Sequence, residues 1–282
     1  MLLSFEKFKK MIPTNREPDQ WYNIAVEMLG KYEINTVNRI AGFFAQTAHE
    51  SSDFRVLEEN MNYSAERLRE VFPRYFKTNA AAYAAAYKPV VIANVVYMDK
   101  NRTRRGALGN VQEGDGWKFR GGGIKQLTGR NNYERFGKSI DMSADEAAHY
   151  VRTKKGAFES ACWFWKENKL ERYADKDDIV GMSKKVNGGS IGLADRKERY
   201  SIAKMVLGGA LQESSESKKI INTLRRGMVG DDVKLLQKAL GVYVDGKFGF
   251  GTASALKKWQ RVNKLTVDGI AGENTLRKLG LI

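Results

Sequence analysis

Residues Thr36–Asn60 read TVNRIAGFFAQTAHESSDFRVLEEN. Apolar side chains recur there at three- and four-residue spacing, the period of a helix with one buried face. A helix over Val37–Glu50 places Ile40, Phe43, Phe44 and Thr47 near that face. Glu50 then falls at the C-terminal end of the apolar stripe. A carboxyl so placed is partly desolvated, which favours the protonated form that a general acid needs at neutral pH. The ordinary alternative is a surface charge that closes the run, the commoner fate of a lone glutamate.

Glu58 and Glu59 follow eight and nine residues later. On one straight helix, nine residues would carry Glu59 about 180° round and about 13 Å along from Glu50. The two acids could not then flank one bond. Ser51-Ser52-Asp53 offers three side chains that compete for backbone hydrogen bonds and so can end the helix. A turn there can bring the chain back across a cleft. Two carboxyls about 6.5–9.5 Å apart leave room for the attacking water of an inverting glycosidase. Geometry alone does not choose between Glu58 and Glu59.

The 282-residue chain is long enough for one large domain or two unequal ones. Up to about residue 211 it reads as mainly helical, with WYNIAVEMLGKY and GAFESACWFWKENKL as further amphipathic stretches. The glycine-rich segment Gly106–Gly129 interrupts them with expected loops or a short hairpin. The polar run QESSESK at 212–218 reads as a linker. Beyond it, Val244-Asp245-Gly246-Lys247-Phe248-Gly249-Phe250-Gly251-Thr252 is echoed 23 positions later by Val267-Asp268-Gly269-Ile270-Ala271-Gly272-Glu273-Asn274-Thr275. Each copy is expected to form a tight Asp-Gly turn, a left-handed second glycine and a threonine cap on the next helix. With the preceding DDVKLLQKALG, this makes three helices joined by two similar turns. The C-terminal arrangement resembles the peptidoglycan-binding domain found on many wall-lytic enzymes, over Leu224–Gly280.

The net charge of +15 predicts attraction to polyanions without choosing among nucleic acid, an acidic membrane surface and an anionic cell envelope. From Lys218 onward, 13 Lys and Arg stand against 5 Asp and Glu, a net +8 that suits an anionic wall. No apolar run approaches a membrane span, and the first residues, MLLSFEKFKKMIPTNREPD, lack the core of a secretory signal. Cys162 is the only cysteine, so no internal disulfide can form.

Three stretches, AGFFAQTAHESSDFRVLEENMNYSAERL, GDGWKFRGGGIKQLTGRNNYERFG and VNGGSIGLADRKERY, resemble in order three motifs of family 19 glycoside hydrolases. These are the plant-type chitinases and related phage and bacterial endolysins. The resemblance spans roughly Ile34–Leu207, and the short spacing of the acids is similar to the endolysin branch. It implies a mainly α, lysozyme-like catalytic domain at 1–211, followed by the linker and a small three-helix peptidoglycan-binding domain at 219–282. Glu50, in His-Glu-Ser, corresponds to the general acid. Glu59, in Glu-Asn-x-Asn-Tyr-Ser, corresponds to the base, which breaks the tie and leaves Glu58 a bystander. Thr128 corresponds to a hydroxyl that positions the water. Gln126, Asn132 and Asn187 correspond to residues that hold the sugar, and Arg196 to an arginine of the acid–base network. Gly121-Gly122-Gly123 lacks the arginine of the family's Gly-Arg-Gly, and Lys125 occupies a usually apolar place.

The same resemblance implies an endolysin that cuts β-1,4 bonds of bacterial peptidoglycan, with no cofactor or metal. It implies a monomer that stays in the host cytoplasm until release and then acts on the wall; chitin is the alternative substrate. Two other classes fit less well. A zinc amidase or peptidase would use His49-Glu50 as the start of H-E-x-x-H, but Asp53 stands at the fifth position and His149 is the only other histidine. A specific nucleic-acid partner is not expected, because the cations are dispersed and no reading motif accompanies them.

Overall fold

The computed structural model describes residues 2–208, 223–242 and 244–282. The linker expected at 212–218 lies outside them. The chain divides into two compact units, Met1–Leu211 and Gln212–Ile282. Both are helical, and among the described residues the only β pairing is four isolated bridges. No helix is long and apolar enough to cross a membrane among the described residues.

The centre of the larger unit is the helix Val37–Ser51, one residue longer than its apolar pattern suggests. Thr36 caps its start by accepting a hydrogen bond from the Arg39 N–H. Ten of its fifteen residues are buried, so it runs through the core and is not a surface helix. It packs against Leu193–Leu207, Ile179–Asn187 and Glu171–Ala174. Phe8, Trp21, Phe43, Phe44, Phe54, Phe158 and Trp165 fill the core around it. A second core gathers Met61, Leu68, Phe76, Ile92 and Val96, and a third Phe119, Leu127, Tyr133, Phe136 and Trp163. Glu50 lies in the last turn of the central helix, and Glu59 lies on the segment that leads from the first core into the second.

Buried carboxylates in this unit are matched by hydrogen-bond donors. Glu159 accepts from Lys31 Nζ at 2.6 Å, Tyr32 Oη at 3.2 Å and Tyr150 Oη at 2.6 Å. Burial works against its charge, but these bonds outweigh burial and hold it below the usual carboxylate range. Burial also opposes charge on Asp115 and Asp177, while Arg130 and Lys204 respectively pull each of them lower. A depressed folded-state value contributes stability that is complete above the unfolded carboxylate value, about 4, and is lost as pH falls through the folded one. The melting temperature is therefore expected to be level from neutrality to about pH 5 and to drop below about pH 4. A melting temperature that rises on acidification, followed calorimetrically, would contradict this assignment.

In the smaller unit the three helices are Asp231–Ala239, Phe250–Val262 and Glu273–Lys278. The repeat is built differently in detail from its sequence reading. The left-handed residue of each copy is the first glycine, Gly246 (φ 71°) and Gly269 (φ 76°), whereas Gly249 and Gly272 have negative φ and occupy the N-cap positions. Thr252 and Thr275 are not caps. A glutamine from the preceding helix organises each turn. Gln237 Nε2 donates to Asp245 Oδ1, the Lys247 carbonyl and Thr252 Oγ1, while its Oε1 accepts from the Gly246 N–H. Gln260 repeats the pattern with Asp268, Ile270, Thr275 and Gly269. Both amides are buried and fully used, so each turn is locked to its helix.

Candidate active site

The break after Glu50 is sharper than a simple helix end. Ser52, Asp53 and Phe54 all have positive φ (50°, 59° and 64°), three successive left-handed residues without a glycine. Such backbone costs roughly 1–2 kcal/mol per residue, so other contacts must hold it. Asp53, 1% exposed, supplies most of them. Its carboxylate accepts from the Thr14 N–H (3.0 Å), Thr14 Oγ1 (2.6 Å) and an Arg199 guanidinium nitrogen (2.6 Å). Ser51 Oγ accepts from the Phe54 N–H, and the Phe54 ring is buried against Trp21, Phe44 and Phe158.

The chain then returns beside the glycine run. Glu59 N–H donates to the Gly121 carbonyl (3.0 Å), and Gly123 N–H donates to the Leu57 carbonyl (2.8 Å). Gly122 and Leu127 exchange two backbone hydrogen bonds, which folds 121–127 into a short strap. This is the expected hairpin in its smallest form. Glu59 borders the strap directly, its Oε2 accepting from the Gly121 N–H at 3.3 Å. Within the strap, Lys125 feels the charges of Glu50 and Arg196, and its ammonium lies 4.7 Å from the centre of the Phe164 ring. Burial lowers the Lys125 pKa, and Glu50 partly offsets that.

Each acid has its own partner. Arg196 donates to Glu50 Oε1 at 2.5 Å and, with its other terminal nitrogen, to Gln46 Oε1. The guanidinium is only 2% exposed and the Glu50 side chain 21%. The apolar setting expected for Glu50 is thus corrected to a half-buried one with a cation against it. Glu59 is held by a residue that the sequence did not single out. Tyr97, last in the helix Pro89–Tyr97, points its hydroxyl at both carboxylate oxygens (2.6 and 2.7 Å). Burial, then the charge of Glu59, raise the Tyr97 pKa, so it remains a donor. A tyrosine closing a mostly apolar helix is the only signal the sequence offers for it.

Comparison with known proteins adds to this geometry. The chain is 32% identical over 207 residues to a Haemophilus influenzae "Glycosyl hydrolase family 19 domain-containing protein", covering 71% of this chain and 94% of that one. The chain belongs to glycoside hydrolase family 19. Chitinase C from Streptomyces griseus HUT6037 has the same fold, with a TM-score of 0.51 at 15% identity over 74% of this chain and 77% of that one. Residues 229–279 match the peptidoglycan-binding domain family. Over 58 residues the chain is also 48% identical to the Mycobacterium tuberculosis protein named N-acetylmuramoyl-L-alanine amidase CwlM, but that is 18% of this chain and 14% of that one.

Within this family 19 hydrolase the departure at Gly122 has a physical reason. A Cβ at Gly122 would lie 2.7 Å from Tyr133 Oη and 3.1 Å from Val151 Cγ1, so no side chain fits there. Arg120 and Arg152 both reach Glu58, whose backbone pairs with Gly122. Arg120 is buried and stacks on Trp117 at 3.6 Å, so Glu58 is tied to the scaffold. Among the other candidate residues, Gln126 (φ 57°) donates to the Gly123 carbonyl, and its Oε1 would lie 2.8 Å from a Cβ at Gly121, the glycine beside Glu59. Thr128 Oγ1 donates to the Gln126 carbonyl, and Asn132 Nδ2 to the Thr128 carbonyl. Asn187 is exposed and closes its own loop, accepting from the Gly189 N–H and donating to the Ile191 carbonyl. The structure therefore groups Glu59, Gln126, Thr128 and Asn132 on or beside the strap, and Glu50 with Arg196. No hydrogen bond among the described residues joins Asn187 to either group.

Proposed function

We propose that the protein is an endolysin-type hydrolase that cuts β-1,4 bonds in the glycan strands of bacterial peptidoglycan in one inverting step. The observation that carries this reading is that, in a family 19 fold, one carboxylate borders the strap and a second, held by a different partner, acts electrostatically on the strap's Lys125. Glu50 has one oxygen engaged by Arg196, and no described protein donor reaches the other. That second oxygen would carry the proton to the leaving glycosidic oxygen. Glu59 accepts from Tyr97 and the Gly121 N–H, which suits a base that takes a proton from water. Water, helped into place by Thr128, attacks the anomeric carbon from the face opposite the leaving group, through an oxocarbenium-like transition state. Gln126, Asn132 and Asn187 would grip hydroxyl and acetamido groups, Asn187 by giving up its loop bonds.

A peptidoglycan-binding domain on the same chain favours the wall over chitin as substrate. The amidase similarity is confined to 58 residues and adds no support for amide hydrolysis. In this reading the protein is made in the cytoplasm of the host, works as a monomer, and lyses the cell once it reaches the wall.

Digestion of purified cell wall, followed by mass spectrometry and proton NMR of the fragments, tests it. New sugar reducing ends with the α-anomer appearing first are expected. Release of peptide alone, or faster cleavage of chitin than of wall glycan, would refute the reading.

A further inference from the structure

The smaller unit contains a cleft of about 410 Å³ whose lining includes Arg225, Arg226, Phe250, Lys257, Asp268 and Ile270. Phe250, Ala253, Ser254 and Lys257 stand at positions i, i+3, i+4 and i+7 of one helix and so form a single stripe. The Arg225-Arg226 turn and the Asp268–Ile270 turn close the two sides. Phe250 is 75% exposed, and the Arg226 guanidinium lies 5.7 Å from its ring centre. None of the three cations forms an ion pair among the described residues. Asp268 accepts from Gln260 and the Ile270 N–H and also feels the charge of Lys257, so this one carboxylate offsets part of the three positive charges and leaves the cleft net positive.

The two copies of the repeat differ in the residues they place at this face. A shift of 23 residues carries Lys257 onto Lys234, and both lysine stems pack over the left-handed glycine of their own turn. Lys234 is neutralised by Asp231 at 2.9 Å. The position equivalent to Asp231 is Ser254, which has no charge, and the position equivalent to Phe250 is Gly227. The second copy has thus lost an acid, gained an exposed ring and faces two arginines. Nothing in the packing of the domain requires these three changes, since the hydrophobic core lies elsewhere, around Leu224, Leu236, Phe248 and Leu256.

We infer that this cleft binds the carboxylate-bearing stem peptides of the wall and not its glycan. The inference rests on the reading of this domain as a peptidoglycan binder. A sugar backbone offers hydroxyl and acetamido groups, which give no reason to gather three cations. Stem peptides carry free carboxylates spaced between alanine methyl groups. Arginine and lysine pair with the former, and Phe250 and Ile270 cover the latter.

The test uses the full chain and Arg226→Gln/Lys257→Gln, which removes charge but keeps much of the packing of both stems. Calorimetric titration with a free alanine- and glutamate-containing stem tetrapeptide should show binding weakened roughly tenfold or more in the double variant. Amidating the carboxylates of the peptide should weaken binding to the unaltered chain similarly, and the melting temperature and the hydrolysis of soluble glycan fragments should be unchanged. Equal binding of the tetrapeptide by both proteins would overturn the inference. So would peptide-free glycan strands that bind as tightly as intact wall, or a glycerol phosphate oligomer that binds more tightly than the peptide. Failure of the full chain to sediment with intact wall on ice would overturn the reading of the domain, and the inference with it.

Discussion

Glu50→Gln is expected to lower glycan hydrolysis by about 100- to 10,000-fold while the protein remains folded. The reasoning turns on Arg196. Its guanidinium is buried, and removing the one acid paired with it among the described residues would leave an unpaired charge, a loss of about 3–5 kcal/mol in comparable pairs. Glutamine avoids most of that loss, because its carbonyl can still accept the Arg196 N–H; only the transferable proton disappears. Glu59→Gln should lose activity on the same scale, since an amide cannot take a proton from water. Glu58→Gln should remain within a few-fold of the unaltered protein, as Glu58 serves to anchor Arg120 and Arg152. Initial rates on soluble glycan fragments, with thermal unfolding of each variant alongside, give the ranking. A Glu58→Gln loss that exceeded that of Glu59→Gln would move the base by one residue.

That ranking also marks how far the sequence could be read. The three- and four-residue spacing of Ile40, Phe43, Phe44 and Thr47 is local, so the central helix and its end were legible. The need for a break after Glu50 followed from helix geometry, and Ser51-Ser52-Asp53 marked its place. What the break looks like was not legible, because its determinants are distant: Arg199 is 146 residues from Asp53, and Thr14 is 39. Tyr97 was missed for the same reason, since nothing near it in sequence indicates that its hydroxyl meets Glu59. Gly122 could be noted as a departure but not explained, because the obstacle is Tyr133, brought there by the fold. In the small domain the V-D-G-x-x-G-x-x-T repeat was plain, yet its functions were assigned one step off. Gln237 and Gln260 stand outside the quoted repeat, and they, not a threonine cap, organise the turns.

The strained turn supplies the second large effect. Asp53→Ala is expected to destabilise the protein by about 2–4 kcal/mol, because the Thr14 N–H and hydroxyl lose their acceptor and Arg199, which keeps Asp195, loses one of its two partners. For a domain of this size that corresponds to a fall in melting temperature of roughly 4–16 °C. Asp53→Asn retains acceptor oxygen and amide size and should fall less. The consequence for activity follows from position: Ser52–Phe54 set the direction in which the chain returns to the strap, five to seven residues before Glu59. Without the Asp53 contacts, three left-handed residues can relax toward ordinary backbone, and Glu59 would move away from Tyr97 and the Gly121 N–H. Turnover by Asp53→Ala should therefore drop even at a temperature where the variant is fully folded, whereas a purely global loss of stability would leave it unchanged there. Rates measured at 15 °C beside an unfolding curve separate the two, and full turnover at that temperature would mean that the turn does not position the base.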